Sequence, residues 1–137
     1  MNRLSIAAVT MNAIVFALLI PVLELNNSHL TNPLWPPHAR LHEAWQLLTN
    51  AAIAILALRL VFSPRNGWVA IVLCLITGVS FLIAWATSSS YGGSMLHSDG
   101  TQMAIAGINV AVLVVAALTT LLVLSAFREK RASHRSQ

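Results

Sequence analysis

Four apolar runs, covering residues 4–25, 43–62, 68–88 and 103–127, dominate this chain. Each approaches or exceeds the roughly 20 residues that a helix needs to cross the hydrocarbon core of a bilayer. Few sequence features restrict a fold so tightly. Inside a bilayer no water is available to backbone amides, so a spanning run must bond its own backbone as a helix. Composition agrees. Only 9% of the 137 residues are charged, against about 25% in an ordinary soluble domain, and the mean hydropathy is +0.74. So little charge cannot clothe a water-facing surface. The sequence therefore predicts an all-α fold, a four-transmembrane-helix bundle.

The length suits one domain. Residues 1–127 are read as the four-helix membrane domain and residues 128–137 as a basic cytoplasmic tail. No internal repeat or linker interrupts them. The first run follows "MNR" and resembles a signal peptide in outline. It is long for that role and ends in "PVLELNNSHL", without a small-x-small cleavage site. It is read as a retained helix, kinked by Pro21. "SPRNG" at 63–67 supplies the Pro and Gly that end a helix, and residues 88–100 form a longer Gly/Ser-rich loop.

Lys and Arg set the expected orientation. Arg3, Arg59, Arg65, Arg128, Lys130, Arg131 and Arg135 flank one side of the four runs, and only Arg40 falls on the other. Both termini are therefore expected to be cytoplasmic. The loops at 26–42 and 88–102 then face outward, to the periplasm of a bacterial inner membrane. The formal charge of +4 is confined to these flanks and has no aromatic interleaving, so no nucleic-acid partner is implied. The single cysteine, Cys74, lies in an apolar run and reads as a buried inert thiol.

Polar chemistry collects on the outer side. His29, His38, His42 and His97 fall there with Glu24, Glu43 and Asp99, while His134 and Glu129 fall in the tail. Two prolines, Pro36 and Pro37, suit a helix start, where the amide donor is not needed. At about 100° per residue, His38, Thr49, His42, Gln46, Asn50 and Glu43 share one arc of roughly 140°. Lipid would penalise such a stripe, so it is expected to point into the bundle, towards the fourth helix. Asn50 lies roughly 12 Å below His42, and Asn109 roughly 10 Å below Gln102 on the fourth run. The two asparagines are thus expected at similar depth. With Asn12 deeper down, they would line a polar funnel open to the outside.

His38 and His42, four residues apart on a helix, can reach one ion. His97 or Glu43 would complete the shell, and Zn or Cu suits imidazoles with a carboxylate. The metal-site candidates are His38, His42, His97 and Glu43; the ligand-binding candidates are Gln46, Asn50 and Asn109. Close packing and interhelical hydrogen bonding compete with function for both asparagines, and a polar water-facing rim competes for the histidines. One alternative is a membrane enzyme moving protons on a lipophilic substrate, with His42 and Glu43 as the acid/base pair. Another is a non-enzymatic subunit or assembly factor. The partners implied are the lipid bilayer, a small lipophilic ligand, and a second copy or another membrane protein.

The segment 32–46, "NPLWPPHARLHEAWQ", resembles a family of small four-helix membrane proteins with a WPPHAR-x-H signature. That resemblance implies the membrane fold and no particular activity. "HEAW" at 42–45 is also similar to a part of the EXPERA membrane domain of sterol isomerases, a helical bundle with His and acidic residues in a lipophilic pocket. The His–Glu spacing differs from that pattern, and four runs are present rather than five.

Overall fold

The fold of residues 1–63, 65–97 and 100–135 is described by a computed structural model. Among these described residues, four helices are long and apolar enough to cross a membrane. They are α1 (Arg3–Glu24), α2 (Pro37–Leu60), α3 (Gly67–Ala86) and α4 (Val110–Arg135). Asp99 lies outside the described residues, and so does the side chain of His134.

Each helix boundary has a local cause. Asn2 caps α1, its Oδ1 accepting from the Ser5 amide at 2.9 Å. Pro37 opens α2 in the first turn, where its missing N–H costs nothing. Helix α1 is interrupted by a π turn at Val15–Leu19, and the reason lies in Pro21. Its ring would collide with the carbonyl four residues back, that of Ala17, and it has no N–H to offer that carbonyl. The chain widens by one residue per turn there, and the Ile20 amide reaches back to the Val15 carbonyl. The expected kink is thus a π turn.

The start of α4 differs from the sequence reading. Residues 103–109 do not extend the helix. Ala104–Ile105 (β1) and Ile108–Asn109 (β2) form a two-stranded antiparallel hairpin. Its turn residues, Ala106 and Gly107, have φ of 50° and 81°, the sign pattern of a tight hairpin turn. Asn109 then caps α4 by accepting from the Ala111 amide at 2.9 Å. At its other end α4 runs on to Arg135, through the segment read as a tail.

Helices α1 and α3 lie at the centre, each packed on the other and on both α2 and α4. Helices α2 and α4 occupy opposite corners without substantial contact. The core is tightest near the termini. Ala8, Val9, Ala57, Val61, Ala70, Ile71, Cys74 and Leu122 pack there with at most 1% exposure. Ser5, fully buried, donates from Oγ to Glu129 Oε1 at 2.9 Å. The Asn2 amide donates to the same oxygen at 2.6 Å, so the start of α1 is tied to the end of α4. The start of α1, the end of α4 and residues 61–63 and 65–66 therefore share one end of the bundle, together with Arg3, Arg59, Arg65, Arg128, Lys130 and Arg131. Residues 25–36, 87–97 and 100–109 lie at the other, with Arg40.

Asn12 is 1% exposed, and neither of its amide atoms has a partner among the described residues. Between it and the loop end stand Phe16, Ala54 and Val115, all buried. The expected polar funnel is therefore not continuous: an apolar layer closes it.

Candidate functional site

Four separate segments bring ionisable groups together at the loop end. Glu24 ends α1. The chain then doubles back: the Leu30 amide donates to the Glu24 carbonyl at 3.1 Å, and Asn26 Oδ1 accepts from the Ser28 amide at 2.7 Å. Such Asx turns are a local habit of Asn. This fold-back sets His29 over Glu24, with Nε2 3.4 Å from Oε2. Ser28 Oγ holds the other ring nitrogen, Nδ1, at 2.9 Å. The α3–α4 connection brings His97 edge-on to His29, ring centroids 4.9 Å apart. Trp35 closes a further side at 6.1 Å. From α2, Glu43 acts electrostatically on His29 and is itself acted on by Glu24.

The His29 ring is half-buried. Burial holds its pKa below the ordinary histidine value of 6.5, the neighbouring His97 adds to this, and Glu43 opposes it. The lowered pKa favours the neutral ring at pH 7, a base beside Glu24 rather than its counter-ion. Glu43 is half-buried too. Its carboxylate has no hydrogen bond and no ion pair within 4 Å among the described residues. Arg40, one turn away on the same helix, does not pair with it.

The expected metal set of His38, His42, His97 and Glu43 is not assembled. His38 and His42 do meet, Nε2 to Nε2 at 3.0 Å with rings nearly perpendicular. A hydrogen bond between the two rings accounts for that approach. Both rings are exposed, and His42 leans on Trp45 with centroids 5.9 Å apart. Glu43 lies about 100° further round the helix and faces the bundle, while His97 is committed to His29. Among the described residues no group of three or more His, Cys, Asp or Glu could hold a metal ion. The acid/base pair imagined from His42 and Glu43 is divided by the same turn of the helix.

The polar stripe of α2 is divided as well. Its inward line is Glu43, Leu47, Asn50 and Ala54, whereas His38, His42, Gln46 and Thr49 are exposed. Asn109 is a helix cap at the loop end, while Asn50 sits about 20 Å along α2 from Pro37 at the helical rise. With α2 and α4 on opposite corners, the two asparagines are not brought together.

The pairing that sequence reasoning missed is Glu24 with His29. Its signal is "ELNNSH": a carboxylate at a helix end, then turn-forming Asn and Ser, then His. No protein family, curated protein or solved structure matches the chain.

Proposed function

We propose that this is an integral membrane protein of a bacterial inner membrane, with cytoplasmic termini. Its outward pocket of Glu24, His29, Glu43 and His97 binds an organic amine as its ammonium ion. The observation that supports this reading is the Glu24–His29 contact at 3.4 Å, with Glu43 near enough to interact electrostatically with both while making no hydrogen bond or ion pair within 4 Å among the described residues. Two half-desolvated carboxylates repel one another, and a bound ammonium group relieves that repulsion while donating up to three hydrogen bonds.

Ethylamine is a suitable probe. Titrated into the full chain in phosphatidylcholine nanodiscs, it should shift the imidazole NMR signals of His29 and His97 and leave those of His38 and His42 in place. Glu43→Gln should weaken the response about tenfold or more, as expected for a lost charge-assisted contact. Unchanged binding by both Glu43→Gln and Glu24→Gln would rule the pocket out. Orientation is checked in intact cells with an impermeant thiol reagent: Ser94→Cys should label and Ser133→Cys should not.

One observation favours a second reading, acid/base catalysis on a lipophilic substrate. A neutral imidazole 3.4 Å from a carboxylate is the arrangement of an oriented general base. In that case Glu24→Gln would abolish turnover with little effect on binding.

A further inference from the structure

An apolar groove of about 390 Å³ runs between the outer halves of α1 and α2, near the lower end of the range for small-molecule sites. Its origin is local. Ala17 and Pro21 on α1 face Ala44 and Ala51 on α2, so three of these four side chains are single methyl groups. The π turn that Pro21 imposes lies on its α1 wall. Wide turns of this kind recur at functional sites because they re-aim the helix face.

The groove is lined in part by residues that follow the charged groups in sequence, though the charged side chains themselves do not line it. Leu25 on α1 follows Glu24, Leu30 in the fold-back follows His29, and Ala44 on α2 follows Glu43. Every side chain lining the groove is apolar, and three of them are next in the chain to a carboxylate or the imidazole. On α2 the groove residues Leu47, Ala51 and Ala44 lie about 40°, 80° and 100° round the helix from Glu43. The exposed His38–His42 pair lies on the opposite flank. An acyl chain alone would fill the walls and leave the carboxylates uncompensated. A carboxylated amphipath would bring like charge to them.

Resting on the pocket reading above, we propose that the ligand is a lipophilic amine. Its ammonium head sits against Glu24 and Glu43, and its hydrocarbon body lies in the α1–α2 groove. Such a molecule reaches the groove sideways from the outer leaflet, where its body already resides. The surrounding lipid is as apolar as the groove, so hydrophobic transfer adds little. Selectivity comes from the fit of the body between the alanines and from the charge of the head.

Decylamine, ethylamine and decan-1-ol separate the contributions, each titrated into the full chain in phosphatidylcholine nanodiscs and read from the His29 imidazole signal. Comparing variants in identical nanodiscs cancels partition into the lipid. Ala51→Leu and, independently, Ala44→Leu fill the groove, and circular dichroism confirms that each retains the helical content. Both should weaken decylamine binding about tenfold or more, the size expected when an added side chain overfills a packed site, and leave ethylamine binding unchanged. Decan-1-ol should shift the signal only weakly.

If ethylamine binds but neither alanine variant affects decylamine, the groove is overturned and the carboxylate pocket stands. Decan-1-ol binding as tightly as decylamine also overturns the proposal and leaves a lipid chain as the occupant. If neither amine perturbs His29, both the pocket and the groove fall.

Discussion

At the end that carries both termini, Val9, Val61, Ile71 and Leu122 are packed to at most 1% exposure, and a buried hydroxyl and a main-chain amide share one carboxylate oxygen. At the loop end, α1 is widened by a π turn, an apolar groove separates it from α2, and ionisable groups gather from four segments. The terminal end ties its chain ends together through Glu129, although Asn12 deeper in the same half keeps both amide atoms without a partner among the described residues. The other leaves a half-buried Glu43 without a hydrogen bond or ion pair among the described residues. Proteins conserve free energy in one region and strain another when the second has work to do. The division assigns stability to the terminal half and binding to the loop half.

The most direct way to break this contrast is to cut into both halves by comparable volumes. Leu122 is fully buried, so Leu122→Ala should cost about 2–5 kcal/mol through lost packing and the cavity left behind. Ala51→Leu adds the same atoms to the groove and should change stability by no more than about 0.5 kcal/mol, as for a site away from the packed core. Unfolding in mixed micelles with increasing SDS compares the two. Equal losses would show that the groove is part of the core.

A second test probes the tie between the termini. Glu129→Ala removes the acceptor of the Ser5 hydroxyl and the Asn2 amide. Hydrogen bonds to a charged partner contribute about 1.5–3 kcal/mol. The observed loss should fall towards the lower figure, because Ser5 Oγ can turn to Asn2 Oδ1, 3.2 Å away. A double-mutant cycle with Ser5→Ala isolates the pair. A coupling energy near zero would show that the apolar core alone holds the terminal end.

The contrast was only half legible in the sequence. Four helices are visible because length and apolarity act residue by residue, without regard to neighbours. The hairpin before α4 was hidden by its own apolar residues: Ile105 and Ile108 read as helix, and only Gly107 followed by Asn109 marked a turn and a cap. Pro21 announced a disturbance but not its kind. The gathering of His29 and His97 on one side followed from counting Lys and Arg around the runs. Which partner each group takes did not, because periodicity fixes a residue's angle on its own helix and says nothing of which helix stands opposite. His42 and Glu43 are neighbours in sequence and face different surroundings. Glu24 and His29 lie five residues apart, in a helix end and a loop, and a turn that no period describes brings them together.

The smallest expected effect is also the most specific to the loop end. Burial and His97 hold the pKa of His29 below 6.5, and Glu43 raises it. An unfolded chain takes up a proton near the ordinary value, while the folded chain resists until the pH is lower. Stability is therefore undiminished above pH 6.5 and falls as the pH drops from there through the folded-state value. The loss should be slight, because the ring is only half-buried and a protonated His29 regains an ion pair with Glu24 at 3.4 Å. The neighbours give the sharper readout by NMR titration. His97→Ala removes a depressing influence and should move the His29 midpoint up. Glu43→Gln removes an elevating one and should move it down. His42→Ala, on the far flank of α2, should leave it where it is. A His29 midpoint that responds to His42 and ignores Glu43 would place the ionisable pocket on the outer His pair instead, and the separation of the two flanks would be lost.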